Sequence, residues 1–179
     1  MHQGYIWHVA VSTFEAPDGE RFERDIIRSP GAVGVVPVLF EDGVPVVVFV
    51  NQYRGPLDRY LLEVPAGMRD VLDEPPELTA ARELIEEAGF SPGRLEYLTH
   101  YFSSAGMTDS GLHLYLATEL SPVERDVHGP EEAHMDVLRI PLAEAVEMVV
   151  RGEIEDAKTV IGLLLVDRRW REGSLRNGM

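Results

Sequence analysis

The sequence predicts an α/β fold, a mixed-sheet α/β/α sandwich over residues 31–179 preceded by an N-terminal β-hairpin extension over residues 1–30. Three features carry this reading. Valine-rich extended segments dominate the first third of the chain, and helical periodicity is confined to one central segment and the C-terminal end. Alternation of strand and helix is not sustained, which argues against a doubly wound parallel sheet. At 179 residues the length suits one domain with an appendage. A chain of this size buries roughly 70% of its unfolded surface without a covalent staple.

Residues 5–14 and 20–28 read as two strands around Pro17-Asp18-Gly19, a turn sequence whose glycine supplies a positive φ. A second pair, 32–40 and 44–53, flanks Glu41-Asp42-Gly43; its runs of valine are those of strands covered on both faces. Pro37 fits poorly in a central strand and points to an edge or a bulge. A short strand at 60–64 enters Pro65-Ala66-Gly67, and a loop then leads to Pro75-Pro76, where a helix opens and runs to Ala88. Gly89 stops it as a C′ glycine, and Pro92-Gly93 blocks continuation. Strands at about 95–102 and 112–119, an irregular stretch 121–136, a strand at 136–140 and helices near 142–151 and 157–171 complete the chain.

Composition narrows the function. Sixteen basic residues against 31 acidic ones give a net charge of −15, so nucleic acid and anionic lipid are poor partners without a local basic patch, and none stands out. The absence of cysteine removes disulfides, zinc ribbons and thiol nucleophiles, and fits a reducing cytoplasm. No basic run precedes an apolar core at Met1-His2-Gln3-Gly4-Tyr5, so no secretory signal is expected. The longest apolar runs, 44–50 and 161–166, fall well short of the ~18 residues of a membrane span, so a membrane is not expected either. Fifteen of the basic residues are arginine and Lys158 is the one lysine; arginine suits bidentate phosphate contacts, although a codon bias gives the same ratio.

The central helix carries the chemistry. At 100° per residue Leu78, Ala81, Leu84, Ile85 and Ala88 gather on one side, and Glu83, Glu86 and Glu87 on the other. Like charges at this spacing repel by ~0.2–0.5 kcal/mol per pair, a cost that a divalent cation would reverse. Hard carboxylate oxygens favour Mg²⁺ or Mn²⁺ over zinc. An acidic solvated face is the plain alternative for three glutamates alone.

Their context reads further. Gly67 and Glu74 stand upstream, and Arg82-Glu83-Leu84, Glu86-Glu87 and Gly89-Phe90 follow seven residues after Glu74. This pattern resembles the Nudix box at eight defined positions from Glu74 to Phe90, with Gly67 one residue further away: six residues separate Gly67 and Glu74 where the common form has five. An extra loop residue is cheap. Four more segments, Arg28 to Val33, Gln52-Tyr53-Arg54, Leu62 to Gly67 and Ser103 to Asp109, together with Glu131 to Met135, resemble the ADP-ribose pyrophosphatase branch over about residues 20–165. Two positions depart from that branch: Ala105 stands where proline is usual, and Ser110 where an acid is usual.

The resemblance implies a Nudix-type sandwich that hydrolyses the pyrophosphate of a nucleoside diphosphate sugar with Mg²⁺ (or Mn²⁺). ADP-ribose, giving AMP and ribose 5-phosphate, is the expected substrate. GDP-mannose or another nucleotide sugar is the alternative, and a sugar-sensing module that binds without cleaving is the alternative of another class. The implied metal ligands are Glu83, Glu86, Glu87 and the Ala66 carbonyl, with Arg82 orienting the glutamates and Glu74 supporting the start of the helix. Arg54, Glu63, Gly67, Met68, Arg28 and Ser104 fall where the branch binds substrate. The general base is expected on the loop 121–136, on Glu132 with Glu131 beside it and His128 and His134 as rivals. The hairpin is expected to support a homodimer with exchanged N-terminal elements. The apolar alternation Trp7, Val9, Val11, which a lone hairpin cannot bury, agrees with that.

Overall fold

A computed structural model of the chain describes residues 2–4, 7–126 and 135–175. Strands β1 (His2–Gln3), β2 (His8–Glu15) and β3 (Arg21–Arg28) form a three-stranded antiparallel sheet, the expected hairpin with one short strand added at its edge. The main sheet comprises β4 (Ala32–Glu41), β5 (Val44–Arg54), β6 (Arg59–Glu63), β7 (Ala66–Met68), β8 (Phe90–Phe102), β9 (Gly111–Pro122) and β10 (Asp136–Pro141). Its order is β10-β5-β4-β9-β8, with β6 paired to β5 and β7 to β4. Among these pairs only β4 and β9 run parallel, which makes the sheet mixed.

Helix α1 (Pro76–Glu83) covers one face and helices α2 (Leu142–Val150) and α3 (Ala157–Arg171) the other. Val33, Val35 and Val48 pack under Ala80, Leu84 and Ala88 on the α1 side. Val36, Val38, Val47, Phe49, Leu114 and Leu116 meet Leu142, Ala145, Val146, Leu163 and Val166 on the other. The valine runs of β4 and β5 thus alternate between two cores, as expected of strands covered on both faces. This is the α/β/α sandwich with a hairpin extension that the sequence predicts.

The β4–β5 turn closes over Asp42 (φ 50°) and Gly43 (φ 79°), the two positive angles of a type I′ hairpin. Pro37 lies in the central strand of the sheet, a correction to the expected edge or bulge. Up to Pro37, β4 pairs with β9; from Val38 onward it pairs with β5. Proline is placed where the strand exchanges partners, so its missing N–H falls at the change of ladder. Pro92-Gly93 is a second correction. Instead of preceding a strand it lies inside β8, which is the edge of the sheet and tolerates proline.

Among the described residues the hairpin is joined to the main sheet at the segment between β8 and β9. The Ile27 N–H donates to the Met107 carbonyl (2.9 Å), the Thr108 hydroxyl donates to the Ile27 carbonyl (2.7 Å), and Arg28 pairs with Asp109 (2.6 Å). The segment between β8 and β9 therefore carries the extension, while Trp7, Val9 and Val11 remain exposed on it.

Candidate active site

The α1 helix begins at Pro76 and, after Glu83, widens into a π-turn over Leu84–Ala88, closed by Gly89 at φ 72° with its N–H on the Ile85 carbonyl (3.0 Å). Such widened turns recur at functional sites. The expected exposed acidic face needs correction, since Glu83 is 8% and Glu87 5% exposed, while Leu78 of the expected buried stripe is 57% exposed. The glutamate side of the helix is pressed onto β7, and the N-terminal turn carrying Leu78 overhangs solvent.

Two consecutive residues of β7 receive that side, and the third turns to a cleft. The Ala66 N–H donates to Glu87 Oε2 (2.8 Å). At Gly67 a Cβ would stand 2.0 Å from Glu83 Cδ, so the carboxylate occupies the space that any other residue would fill. Met68 lines a cleft of about 210 Å³ together with Trp7, Ile27, Ser104, Met107 and Ser110. The strand thus runs from the carboxylates, at Ala66 and Gly67, to the cleft that Met68 and Ser104 line.

Arg82 Nη1 bridges Glu83 Oε1 (2.9 Å) and Glu86 Oε2 (3.0 Å), while Nη2 reaches Asp70 and Glu74 at 3.5 Å. It pairs with two of the three glutamates, and its partnership with Asp70 was not foreseen. Glu74 also accepts from the Thr79 hydroxyl (2.7 Å) and so ties the preceding loop to the first turn of the helix.

Burial pushes the Glu83 carboxyl up to about 7 against the pull of Arg82, with Glu86 and Asp70 adding to the rise. Burial likewise pushes Glu87 up to about 8, opposed by the Ala66 N–H and reinforced by Glu83. Among the described residues no three carboxylates or histidines are already gathered as a metal cage, and Glu83 and Glu86 each give an oxygen to Arg82. The donors nevertheless fit a divalent cation. They are hard oxygens, two of them sit where their own charge is costly, and Gly67 leaves them room.

Arg54 and Glu63 are brought together, Nε to Oε1 and Nη2 to Oε2 both at 2.7 Å. Glu63 is 1% exposed and also bonds Lys158, so it supports Arg54 from beneath and offers no surface to a ligand. Burial raises its pKa, but the Arg54 hydrogen bonds and Lys158 outweigh that and hold it below the usual carboxylate range. Arg28 pairs with Asp109 and reaches Ser12 Oγ at 3.4 Å, which places it at the hairpin joint beside the cleft. Glu131, Glu132, His128 and His134 lie outside the described residues. The segments flanking them are fixed: Val123 N–H donates to the Gly89 carbonyl (2.9 Å), and Arg125 Nη1 donates to the Met135 carbonyl (3.2 Å). Lys158 is the site-adjacent residue that motif reading missed; its one signal was its rarity.

Residues 28–161 match the family model of the NUDIX domain. The chain is 36% identical to an ADP-ribose pyrophosphatase of Bacillus subtilis (strain 168), covering 91% of this chain and 86% of the relative. It is 37% identical to an ADP-ribose pyrophosphatase of Mycobacterium tuberculosis, covering 93% and 79%. A GDP-mannose pyrophosphatase of Klebsiella pneumoniae is 32% identical over 72% of this chain and 67% of its own length. A solved structure described as an ADP compounds hydrolase shares the fold at a TM-score of 0.80 and 22% identity, covering 98% and 92% of the two chains.

Proposed function

Since the chain belongs to the Nudix hydrolase family, we infer that it hydrolyses the pyrophosphate of a nucleoside diphosphate sugar, with ADP-ribose as the substrate and AMP and ribose 5-phosphate as products. The observation that carries this reading is the continuity of β7 from the carboxylates at Ala66 and Gly67 to the cleft at Met68. The reacting diphosphate and the nucleoside it bears need two adjoining places of these two kinds.

Glu83, Glu86, Glu87 and the Ala66 carbonyl would hold Mg²⁺ or Mn²⁺, which offsets the negative charge of the diphosphate and lowers the pKa of water. Arg82 keeps Glu83 and Glu86 in register for that role. Arg54 presents a guanidinium suited to phosphate oxygens. Glu132 takes the proton of the attacking water, with Glu131 as its neighbour. Support for that assignment is the resemblance of Glu131 to Met135 to the branch, and the anchoring of both flanks of the loop near the helix end.

The cleft supports adenine over guanine. Among the described residues its lining includes serine and threonine hydroxyls and apolar side chains but no carboxylate, and the nearby Asp109 is taken by Arg28. Guanine would leave its N1–H and amino group without an acidic acceptor. We assign residues 1–30 to dimerisation and residues 31–179 to catalysis. The exposed Trp7, Val9 and Val11 support an exchange of hairpins between two copies. Among the described residues no helix is long and apolar enough to cross a membrane, and the lack of cysteine supports a cytoplasmic setting.

The test is a panel of ADP-ribose, ADP-glucose and GDP-mannose with Mg²⁺ or Mn²⁺, followed by chromatography of the released nucleoside monophosphate. AMP from ADP-ribose with the highest kcat/KM is expected. Preferential release of GMP would put GDP-mannose first, and binding without release from any member would make the protein a sensing module.

A further inference from the structure

The one lysine of the chain is buried in a place that the reaction so far leaves unexplained. Lys158, 7% exposed in the first turn of α3, bonds Glu63 Oε2 and reaches Asp156 Oδ2 at 3.1 Å. Asp156 caps the helix by accepting from the Thr159 N–H (3.0 Å) and the Thr159 hydroxyl (2.6 Å). The same hydroxyl oxygen accepts from the N–H of Val64, next to Glu63 (2.9 Å). The end of β6 and the start of α3 are therefore locked to one another on both sides of the Glu63–Lys158 bond.

We propose that Lys158, acting through Glu63, is a positioning residue for substrate binding: it fixes the Arg54 guanidinium beside the carboxylate helix with one edge open to the substrate's phosphates. This deepens the reading above and rests on it, because it takes Arg54 as a phosphate contact. Arg54 gives Nε and Nη2 to Glu63, its Nη1 meets no partner among the described residues, and about a third of its side chain (35%) remains exposed. A carboxylate shared by two cations does not cancel the arginine one for one, so the open edge keeps its attraction for an anion.

Stability alone is a poor reason for the arrangement. Buried ion pairs commonly do no better than well-packed apolar residues of the same volume, whereas they specify geometry in several proteins. Arginine, which this chain uses at every other basic position, presents a wide planar fork; an ammonium is a compact point charge. Here that charge fits between Glu63 and Asp156 with its stem against the bare backbone of Gly34.

The experiment is steady-state kinetics on ADP-ribose at saturating Mg²⁺ for the full chain, Lys158→Met, Arg54→Ala and the double variant, with a melting curve for each. Lys158→Met should raise KM about tenfold and change kcat less than about threefold, the signature of lost binding rather than lost chemistry. In the Arg54→Ala background the same substitution should change KM less than about twofold, because the group through which it acts is gone. An equal factor in both backgrounds, or an unchanged KM in Lys158→Met, overturns the proposal. Arg54→Ala with an unchanged KM overturns it at its premise, and a wild-type chain inert towards ADP-ribose overturns the functional reading itself. Should Lys158→Met fail to fold, Asp156→Asn keeps a helix cap but removes the charge that seats the lysine. It should raise KM about threefold, and no change in KM would be a refutation.

Discussion

Gly67→Ala tests the carboxylate site at the point where the structure is least forgiving. A Cβ at this position would stand 2.0 Å from Glu83 Cδ and 2.2 and 2.3 Å from its two oxygens. Ordinary contact begins near 3.4–4 Å, so the carboxylate must retreat by about 1.5 Å. Gly67 is not among the glycines with positive φ, so alanine imposes no backbone strain, and what yields is the far end of a flexible side chain. A displaced rotamer costs about 0.5–1.5 kcal/mol, and at about 2–4 °C per kcal/mol for a chain of this size the melting temperature should fall by no more than about 6 °C. Misplacement of a catalytic group by about 1 Å can cost 10²-fold in rate. We therefore expect Gly67→Ala to lower kcat on ADP-ribose by about two orders of magnitude and to raise the Mg²⁺ concentration giving half-maximal rate. The assay is release of AMP across a Mg²⁺ titration, with thermal melting in parallel. A kcat within about twofold of wild type would refute the placement of Glu83 in the reaction, and a collapse of the melting temperature would show that the backbone, not the carboxylate, gives way.

Glu86→Gln keeps the size of a side chain already paired to Arg82 and should preserve the melting temperature while lowering turnover by orders of magnitude; an unchanged kcat would remove the metal from this helix. Glu132→Gln should lose at least ~10² in kcat with little change in KM, and Glu131→Gln much less; small equal losses in both would move the base to His128 or His134. In light scattering at micromolar concentration the protein should have twice its 20.0 kDa chain mass, and the chain mass itself would refute dimerisation. Because the folded pKa of Glu63 is lowered, its stabilisation is present above the unfolded value and is lost as pH falls through the folded one. The gap in melting temperature between wild type and Glu63→Gln should therefore narrow from about pH 6 to about pH 3.5, and a gap that is constant or widens would show that Glu63 is not ionised in the fold.

The fold was largely legible because its signals are local. Asp42-Gly43 demands its hairpin, and the periodicity of α3 extends over the 15 residues that form it. The box residues Glu83, Glu86 and Glu87 were legible for the same reason, since their spacing is their signature. What failed was burial. The glutamates read as an exposed face because a helical wheel shows which residues share a side but not what lies against it, and the answer is β7, sixteen residues upstream at Gly67. Pro37 and Pro92-Gly93 were misplaced for a related reason. Whether proline is tolerated depends on which neighbour needs its N–H, and the parallel pairing of β4 with β9 that decides this at Pro37 spans some eighty residues of chain.

A division of labour explains which site residues the sequence revealed. The box residues, such as Glu83 and its partner Arg82, lie within one helix, where their mutual geometry is set by local backbone and can be recognised as a spacing. Groups that hold those residues in place belong to other elements: Ala66 binds Glu87 from 21 residues away, and Lys158 meets Glu63 across 95. Cross-element partners leave no periodicity, and a buried lysine is written in the chain like an exposed one. Its cost becomes visible only when burial and partners are seen together, as at Glu63, where desolvation that should neutralise a carboxyl is overcome by two cations. Arg54, read from sequence as a phosphate or ribose contact with a plain ion pair as its alternative, is paired through two nitrogens and, among the described residues, unpaired through the third. In the proposed arrangement the pairing aims the open edge, so a structural bond and a substrate contact would be successive parts of one device.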